Sequence, residues 1–235
     1  MFKKKKTPQN IPTHIAFIMD GNRRWATKRK MLRMHGHKHG AEVLKNIIEW
    51  ISEIKEIKYA SFFAFSTENW NREQKEIDYI FKLATDFIEK FSEEFLKKNI
   101  KLVVMGDVSR LPKNFQDKIF EAVEKTKDNT GLVINLALNY GGRDDIIQAA
   151  NKVVESGATQ ITVDNLKENL YSAPAPDVDL LIRTSGEFRI SNFMLFQMAY
   201  SEMYFTKVYW PEFDKKELYK AIDEYSKRNR RFGGK

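Results

Sequence analysis

Residues 15–26 form the stretch IAFIMDGNRRWA. Its first five residues are all apolar, which is typical of a strand that is buried on both faces of a sheet. The run then meets Asp20, a Gly-Asn pair and two adjacent arginines. A core strand that ends on a carboxylate with cations behind it indicates a polar site at the edge of a sheet. An ordinary Asp-Gly turn is the alternative.

Composition places the chain among ordinary globular proteins and excludes several kinds of site. The 235 residues are 42% apolar and 31% charged, which is enough for one sizeable core and excludes wholesale disorder. There is no cysteine, so disulfides, thiolate zinc sites and cysteine nucleophiles are excluded. No run reaches the roughly 18 apolar residues of a membrane span, and no secretory signal is recognisable, so we expect a cytoplasmic protein. P-loop, dinucleotide-binding and G-x-S-x-G motifs are missing from the sequence.

The net charge of +8 favours an anionic partner, which means a phosphorylated small molecule, nucleic acid or an anionic membrane surface. Part of the excess lies in Lys3–Lys6 and in residues 227–231 (KRNRR), and both runs are most simply solvated ends. A loose attraction of the first run to anionic lipid is the alternative. We expect residues 1–13 to form a basic N-terminal tail and residues 14–235 to form one domain.

Short apolar runs alternate with segments of helical period along the chain. This alternation predicts an α/β fold with a central, mostly parallel six-stranded sheet flanked by helices. The predicted strands are 14–20, 59–66, 100–107, 132–140, 179–183 and, more weakly, 203–206. The predicted helices are 41–57, 76–98, 113–127, 143–155, 164–170, 191–201, with Ser191 as its cap, and 214–230.

Four predicted strands deliver polar, cation-rich segments at their carboxyl ends. Ligands of open parallel sheets bind beyond these ends, so four such segments together predict a site for a polyanion. Arginines near a helix start and around Ser-Gly suit bidentate contacts to phosphate oxygens. Taken singly, Arg183 and Arg189 also fit surface ion pairs, and Asn139-Tyr-Gly-Gly fits a tight turn. The segments are 20–25 (DGNRRW), 66–72 (STENWNR), 139–143 (NYGGR) and 183–192 (RTSGEFRISN).

The sequence suggests two alternatives for a metal site, a divalent cation at Asp20 and zinc at a group of histidines. Arginines alone leave a diphosphate underscreened, so a divalent cation is expected, with Asp20 as its natural ligand and Glu202 as a candidate partner. His35, His37 and His39 alternate, but on a helix only the first and third share a face, so zinc is a minor alternative. His37 alone fits a hydrogen-bond donor or proton carrier beside a phosphate site better.

Together these motifs resemble the signature regions of the cis-prenyltransferases, and within that family the bacterial undecaprenyl diphosphate synthases. The resemblance runs in order from about residue 14 to the terminal RRFGG, which is nearly the whole chain. The segments that carry it are HIAFIMDGNRRWA (14–26), GHKHG (36–40), FFAFSTENWNR (62–72), NYGGR (139–143) and DLLIRTSGEFRISNFMLFQMAYSEMYF (179–205).

The resemblance implies a homodimeric α/β fold with an apolar tunnel and a Mg²⁺-dependent prenyl transferase. Such an enzyme condenses isopentenyl diphosphate onto farnesyl diphosphate with a cis double bond at each step. Its expected product, undecaprenyl diphosphate, is the lipid carrier precursor for peptidoglycan and other cell-wall glycans. The helices 41–57 and 76–98 are candidates for the tunnel wall, although core packing accounts for most of their apolar residues.

Two other functions stay open at this point. A non-catalytic, family-like subunit that binds polyprenyl diphosphates would be expected to lack the acidic and arginine positions, which this chain keeps. A nucleic-acid binder needs a basic face with stacking aromatic residues, whereas the basic residues here lie at strand ends and termini, so we expect no nucleic acid partner.

Position by position, the resemblance also implies roles. Asp20 matches the aspartate that holds Mg²⁺ and assists departure of the allylic diphosphate, and Glu202 matches a second metal position, with supply across the dimer as one version. Asn69 matches the residue proposed to accept the proton. The positions that match contacts to isopentenyl diphosphate are Arg183, Arg189, Ile190 and Ser191. The positions that match the loop around the allylic diphosphate and its further contacts are Gly21, Asn22, Arg23, Arg24, Trp25, Arg33 and His37. The positions that match the segment between the two substrates are Ser66, Thr67, Glu68, Trp70 and Arg72.

The chain departs from the family pattern at three positions. Arg23 stands where many bacterial members have glycine, and Glu73 stands where proline is common. Phe188 stands where many members have histidine, so no metal contact is expected from that position. Product length is not implied by the resemblance, because it depends on how deep the tunnel is.

Overall fold

The short apolar runs form the strands of one parallel sheet. The computed structural model describes residues 10–229, so Lys3–Lys6 and the RRFGG end lie outside the described residues. Every strand pairing is parallel, so the predicted six-stranded, mostly parallel sheet is confirmed. The strands are β1 (His14–Ile18), β2 (Tyr59–Ser66), β3 (Lys101–Met105), β4 (Val133–Tyr140), β5 (Leu180–Arg183) and β6 (Glu202–Phe205), in the order β3-β4-β2-β1-β5-β6.

β1 is the centre of the molecule, and all five of its residues are buried. Ile15 and Phe17 point into the larger apolar core on one face of the sheet, while Ala16 and Ile18 point into a smaller core on the other. Because side chains alternate along a strand, only an unbroken apolar run can fill both cores. This is why the opening stretch reads as five consecutive apolar residues.

Helices cover both faces of the sheet. The larger core is closed by α2, α3, α4 and α7, which supply its buried isoleucines, phenylalanines and leucines. Over residues 10–229, no helix is long and apolar enough to cross a membrane. The helices are α1 (Asn22–Lys28), α2 (Arg33–Ser52), α3 (Gln74–Lys97), α4 (Lys113–Thr126), α5 (Gly142–Glu155), α6 (Val163–Glu168) and α7 (Lys215–Ser226).

α2 begins at Arg33, eight residues before the predicted start at residue 41, so that boundary is wrong. The GHKHG run lies inside the helix, where Gly36 and Gly40 face α1. A Cβ on Gly36 would lie 2.0 Å from the backbone oxygen of Asn22, and one on Gly40 would lie 2.5 Å from Asn22 Oδ1. The two glycines therefore serve close packing of two helices and do not end a helix.

The predicted helix 191–201 does not form, and Ser191 is not a helix cap. Ser191, Asn192 and Met194 have φ values of +48°, +61° and +41°, which interrupt any helical hydrogen-bond ladder. The Asn192 carbonyl instead accepts a hydrogen bond from the Gly142 amide at 2.6 Å. The apolar residues of this segment, such as Phe193, fill the smaller core from a series of turns.

Candidate active site

The carboxyl ends of β1 and β5 lie side by side where the sheet order reverses. The chain places β2 on one side of β1 and β5 on the other, and such a point is the usual ligand crevice of an open parallel sheet. Ile18 pairs with Arg183, so Asp20 and Arg183 emerge at the same edge. The carbonyl of Asp20 is held by Thr184 Oγ1 at 2.6 Å and by the Trp210 amide at 3.1 Å. The backbone below the carboxylate is therefore fixed.

The Asp20 carboxylate lies between two guanidinium groups. Arg183 Nη2 donates to Asp20 Oδ2 at 2.9 Å, and Arg24 Nη2 lies 3.1 Å from Asp20 Oδ1. The Arg183 side chain is buried, whereas 28% of the Asp20 side chain stays exposed. Arg183 Nε is buried and has no hydrogen-bond partner in the part of the chain that the structure describes. Arg183 thus keeps an unused donor beside the carboxylate.

The turn between β1 and α1 requires glycine at position 21. Gly21 has a φ of +110°, and a Cβ there would lie 2.8 Å from Tyr209 and 3.1 Å from Ser185 Oγ. The turn lets α1 begin at Asn22, which returns Arg24 to Asp20 one helical turn later. The Asp-Gly-Asn run is a turn, as the simpler interpretation held, and that turn builds the site.

A cavity of about 680 Å³ lies behind this turn and is rich in cations. Asp20 is the single carboxylate among its described lining residues. Clustered like charges in a cleft focus the field there and attract a multiply charged anion. The cationic residues that line it are Arg23, Arg24, Lys28, Arg33 and Arg72.

A buried carboxylate that we did not predict, Glu76 in the first turn of α3, holds several of these cations. Arg72 Nη1 and His37 Nε2 lie 3.1 Å and 3.2 Å from Glu76 Oε1. Arg23 Nε and Arg33 Nη1 lie 3.6 Å and 4.0 Å from Glu76 Oε2. Only 7% of the Glu76 side chain is exposed. Glu76 is therefore the internal counter-ion of the cationic cavity.

His37 contacts this cluster as a neutral ring. Burial lowers the pKa of His37, and the charges of Arg72 and Arg23 lower it further, against the opposite effect of Glu76. A neutral imidazole that carries its proton on Nε2 donates to Glu76. On the same helix, His39 Nδ1 contacts the His35 carbonyl at 2.9 Å. Residues 10–229 contain no group of three His, Asp or Glu side chains that could hold a metal.

A second cavity, of about 740 Å³, extends from the same carboxylate into the core between α2 and α3. Asp20, Asn22, His37 and Arg72 line both cavities, so the two share a border. Polar side chains continue the lining beyond that border, and they are Ser66, Glu68, Asn69, Arg143, Arg183, Ser191 and Asn192. The remaining lining is mostly apolar and comes mainly from α2, α3 and the sheet. Representative side chains are Leu44, Ile48, Leu83, Phe87, Phe95 and Ile134.

The segment after β2 forms a short 3₁₀ helix, Thr67–Asn71, with a reciprocal cap. Asn69 Oδ1 accepts a hydrogen bond from the Ser66 amide at 3.3 Å, and the Ser66 side chain accepts one from the Asn69 amide. Ser66, Glu68 and Asn69 line the mouth of the apolar cavity. Burial acts to raise the pKa of Glu68, but hydrogen bonds from its own amide, Ser66 and Asn192 lower it below its usual range. Glu68 therefore stays ionised beside the mouth.

Two tryptophans predicted as substrate contacts line neither cavity. Trp70 Nε1 donates to Asn139 Oδ1 at 2.7 Å, and its ring stacks on Phe81 with centroids 5.8 Å apart. Trp25 is buried under Arg29, whose guanidinium carbon lies 4.5 Å from the ring centre. Both rings anchor the segments that carry the polar residues. Asn139, which belongs to the predicted strand-end segment 139–143, fixes the 3₁₀ segment through Trp70.

The loop after β5 curls back over Arg183. Arg183 Nη1 donates to Ser191 Oγ at 2.8 Å and to the Arg189 carbonyl. Glu187 bridges Arg24 Nη1 and Arg189 Nη1, each at 2.5 Å. These hydrogen bonds lower the pKa of Glu187. A carboxylate that sequence reasoning overlooked thus joins the cations predicted for two different subsites.

Ile190 and Phe188 of the same loop do not face the cavities. Ile190 packs against the smaller core, and Phe188 is 75% exposed, with its ring 5.2 Å from that of Phe205. A phenyl ring offers no metal ligand.

Glu202 lies at the opposite end of the sheet from Asp20. Glu202 is the first residue of β6 and pairs with Leu180 of β5, which in turn pairs with Ile15 of β1. Glu202 is therefore level with Ile15, and Asp20 lies five residues further along the direction of the strands. At about 3.3 Å per residue this separates the two levels by roughly 16 Å. The Glu202 carboxylate instead accepts a hydrogen bond from Arg228 Nη1 at 2.8 Å. Within one chain the structure does not bring Glu202 to Asp20.

The oxygen atoms at the border of the two cavities fit a hard divalent cation. Asp20 offers a carboxylate, and Asn22 Oδ1 is buried without a hydrogen-bond partner among the described residues. Both side chains line both cavities. Mg²⁺ is usually held by one or two carboxylates together with phosphate oxygens of a substrate, and not by an all-protein cage. The residues present therefore suit Mg²⁺ that binds along with a phosphorylated ligand.

Known proteins are similar to this chain in sequence over nearly its whole length. The chain is 47% identical to an isoprenyl transferase of Fusobacterium nucleatum over 226 residues, which cover 96% of this chain and 97% of the relative. It is also 47% identical to an isoprenyl transferase of Streptococcus thermophilus over the full length of both chains.

Two solved structures superimpose over nearly the whole chain. A probable undecaprenyl diphosphate synthase from Campylobacter jejuni has a TM-score of 0.82 at 39% identity and covers 96% of this chain and 100% of its own. Lavandulyl diphosphate synthase from Lavandula x intermedia, in complex with dimethylallyl diphosphate, has a TM-score of 0.91 at 36% identity and covers 95% and 98%. A family model described as "Putative undecaprenyl diphosphate synthase" matches residues 18–233. The chain is thus a prenyl transferase that belongs to the undecaprenyl diphosphate synthase family.

Proposed function

We propose that this chain catalyses Mg²⁺-dependent cis-prenyl elongation, condensing isopentenyl diphosphate onto farnesyl diphosphate to give undecaprenyl diphosphate. The observation that carries the proposal is the pair of cavities that meet at Asp20, one rich in cations and the other lined by apolar side chains. A substrate with a diphosphate at one end and a hydrocarbon chain at the other matches both. Its reacting carbon then falls at the shared border.

The cationic cavity is the proposed site of the allylic diphosphate. Arg23, Arg24, Arg33 and Arg72 face it, and in the free protein several of them are paired with Glu76 or Asp20. Preorganised cations stabilise the negative charge that builds up on the departing diphosphate. The arginines need little rearrangement when the anion binds, because their carboxylate partners already hold them in place.

The apolar cavity is the proposed sleeve for the growing prenyl chain. Its walls from α2 and α3 keep water away from the allylic cation, which water would otherwise quench. The hydrocarbon tail gains free energy from burial there, roughly 0.8 kcal/mol for each CH₂ group. The far end of the cavity, near Phe95 and Ile134, would set how many units can be added.

The loop around Arg183 is the proposed site of isopentenyl diphosphate. Arg183 Nε is an unused buried donor, and the Arg189 guanidinium is 58% exposed and paired only with Glu187 among the described residues. Ser191 Oγ already lies within hydrogen-bond distance of Arg183 Nη1. A diphosphate bound here would present its alkene toward the border at Asp20, where the new carbon–carbon bond forms.

Asp20 and Asn22 would hold Mg²⁺ together with a diphosphate, and the ion would supply positive charge to the phosphate oxygens. Asp20 holds a negative charge at the border of the cavities and positions Arg24 and Arg183 around it. We retain Glu202 as a second metal position only through the partner subunit of a homodimer, since one chain alone does not bring it near Asp20.

Each condensation releases one proton, and Asn69 is the proposed acceptor through its Oδ1. That atom is engaged only weakly, by the Ser66 amide at 3.3 Å, and lies in a segment that lines the cavity mouth. An amide oxygen is a weak base, so Asn69 does not store the proton but passes it to the diphosphate that the reaction releases.

We further propose a cytoplasmic homodimer that is loosely associated with the inner face of the membrane and supplies the lipid carrier for cell-wall glycans. The support is the kinship with isoprenyl transferases and undecaprenyl diphosphate synthases, together with the acidic and arginine positions that the chain keeps. No nucleic acid enters this proposal.

Incorporation of labelled isopentenyl diphosphate by the purified chain, with farnesyl diphosphate and Mg²⁺, tests the proposal. Wild-type protein should incorporate label, whereas Asp20→Ala should keep its fold and lose incorporation by at least about a thousandfold. Retained turnover in Asp20→Ala would overturn the assignment of the site. Absence of turnover in folded wild-type protein would favour the non-catalytic subunit.

A further inference from the structure

The connection between α1 and α2 presents long apolar side chains to solvent at the tip of a basic segment. Residues 28–35 (KRKMLRMH) are all exposed. The exposed fractions are 64% for Leu32, 40% for Met34 and 37% for Met31. Exposed apolar side chains that are clustered, and not scattered singly, usually mark a contact surface. We call residues 28–34 the α1–α2 tip.

The sequence around the tip is strongly basic. Residues 21–41 include seven Arg or Lys and no Asp or Glu. Arg29 and Arg33 pair with carboxylates from other elements. Lys28 and Lys30 have no acidic partner within the described residues, so their charges are available to an external anion.

The backbone holds the tip outward. Lys30 has a φ of +56°, which turns the chain sharply after α1, and Leu32 is extended as the N-cap of α2. Lys28 and Arg33 also line the cationic cavity. The tip therefore borders the mouth of that cavity.

We propose that the α1–α2 tip docks on an anionic lipid surface. Met31, Leu32 and Met34 enter the interfacial region, and Lys28 and Lys30 lie at the phosphate headgroups. The combination of apolar side chains with flanking cations is what an interfacial membrane anchor requires. A nucleic acid fits less well, because the tip has no aromatic side chain on which bases could stack.

This docking places the mouth of the cationic cavity against the bilayer. A polyprenyl diphosphate carries a tail that is insoluble in water, so its transfer is easiest where the cavity meets lipid. Only this consequence rests on the proposed function; lipid binding by the tip does not require turnover. The experiment is therefore done without substrates, and its failure leaves the proposed chemistry untouched.

The test variant Lys30→Asn/Leu32→Ser removes one cation and one apolar side chain at positions where folding tolerates the change. Asparagine accepts the left-handed backbone of residue 30, and serine is a favourable N-cap at residue 32. The matched control Phe120→Ser/Lys113→Asn removes the same kinds of side chain from α4, where both are exposed. A second variant, Met31→Ser/Met34→Ser, probes the same tip without changing its charge.

Co-sedimentation with vesicles measures binding of the full chain. The vesicles contain phosphatidylcholine alone or phosphatidylcholine with one third phosphatidylglycerol. We expect wild type and control to bind only the anionic vesicles. Lys30→Asn/Leu32→Ser should bind about fiftyfold more weakly, from about fivefold for the cation and about tenfold for the leucine. Met31→Ser/Met34→Ser should also bind more weakly than the control.

Two results would overturn the proposal. One is wild-type protein that does not bind anionic vesicles. The other is that the Lys30→Asn/Leu32→Ser protein keeps the wild-type unfolding midpoint and binds the vesicles as tightly as the control. Vesicle binding would then be due to another basic segment, such as Lys3–Lys6. If that variant has a lower midpoint, Met31→Ser/Met34→Ser decides in its place, and binding equal to the control then also overturns the proposal.

Discussion

Replacing Glu76 by glutamine should loosen the cationic cavity, because its arginines lose their buried counter-ion. The substitution keeps the shape of the side chain and removes only its charge. Glu76 is 7% exposed and lies 3.1 Å from Arg72, 3.6 Å from Arg23 and 4.0 Å from Arg33. We expect a lower free energy of unfolding in the ligand-free protein and a larger stabilisation by a bound anion.

The contacts set the size of the effect. Neutralising one partner of a buried ion pair costs about 3–5 kcal/mol, and the pair with Arg72 comes nearest to that case. Arg23 and Arg33 are 45% and 48% exposed, so each of their pairs adds at most about 1 kcal/mol. The glutamine oxygen still accepts hydrogen bonds and recovers part of the loss. A net cost of about 3 kcal/mol lowers the unfolding midpoint of a chain of this length by about 6–12 °C.

Differential scanning calorimetry of the wild type, Glu76→Gln and Glu73→Gln is the assay. Glu73 is the matched control, since its side chain is 77% exposed and contacts Arg33 at 3.3 Å. Its substitution should cost less than about 1 kcal/mol. Inorganic pyrophosphate, added as the probe, should raise the midpoint of Glu76→Gln more than that of the wild type, because it supplies the missing negative charge. A role of Glu76 as counter-ion is refuted if Glu76→Gln and Glu73→Gln have the same unfolding midpoint, or if pyrophosphate raises the midpoints of all three proteins equally.

Three further outcomes test other parts of the molecule. Burial lowers the pKa of His14 from 6.5 to about 4, so on acidification the unfolded chain binds a proton before the folded chain does. The stability that the neutral ring contributes is therefore complete above pH 6.5. The free energy of unfolding should fall by about 3 kcal/mol between pH 6.5 and pH 4. A free energy from urea unfolding that stays constant over this range would contradict the buried, neutral state of His14. Ala84→Trp, which partly fills the apolar cavity, should shorten the prenyl products seen by chromatography. Products of unchanged length would show that the growing prenyl chain does not occupy this cavity. Arg183→Ala and Arg189→Ala should each raise the KM for isopentenyl diphosphate by about tenfold or more. A rise only in the KM for farnesyl diphosphate would mean that the two substrate sites are assigned the wrong way round.

The sheet was predictable because its signal is local. A strand buried on both faces is apolar at most positions, and β1, β2 and β4 are rich in apolar residues. The buried polar side chains of His14, Ser61 and Asn135 are hydrogen-bonded to one another across the three strands. Segment 191–201 was not predictable in this way. Its apolar residues satisfy a helical pattern, but the left-handed backbone of Ser191 and Asn192 depends on contacts with α5 that are distant in sequence.

The start of α2 was missed for a related reason. Gly36 and Gly40 are helix breakers by propensity, and only the approach of Asn22 on α1 reveals that they permit close packing. Tertiary contact outweighs a local preference of about 1 kcal/mol per glycine.

For the site, residues that follow strand ends were predictable, and their counter-ions were not. Asp20 and Arg183 meet because parallel neighbouring strands end at one edge. Glu76 and Glu187 look like ordinary surface acids in the sequence, and their partners come from other elements of the fold. Glu202 opens β6 at the opposite end of the sheet from Asp20, so its predicted metal role stays a prediction that only supply across a dimer satisfies.

The most direct test of the central claim is chromatography of the product that the purified chain makes from farnesyl diphosphate, isopentenyl diphosphate and Mg²⁺. We predict a ladder of cis-polyprenyl diphosphates that ends at the undecaprenyl length, with no ladder from Asp20→Ala. A single condensation product, or an equal ladder from the Asp20→Ala protein, would contradict the proposal that two cavities meeting at Asp20 carry out chain elongation.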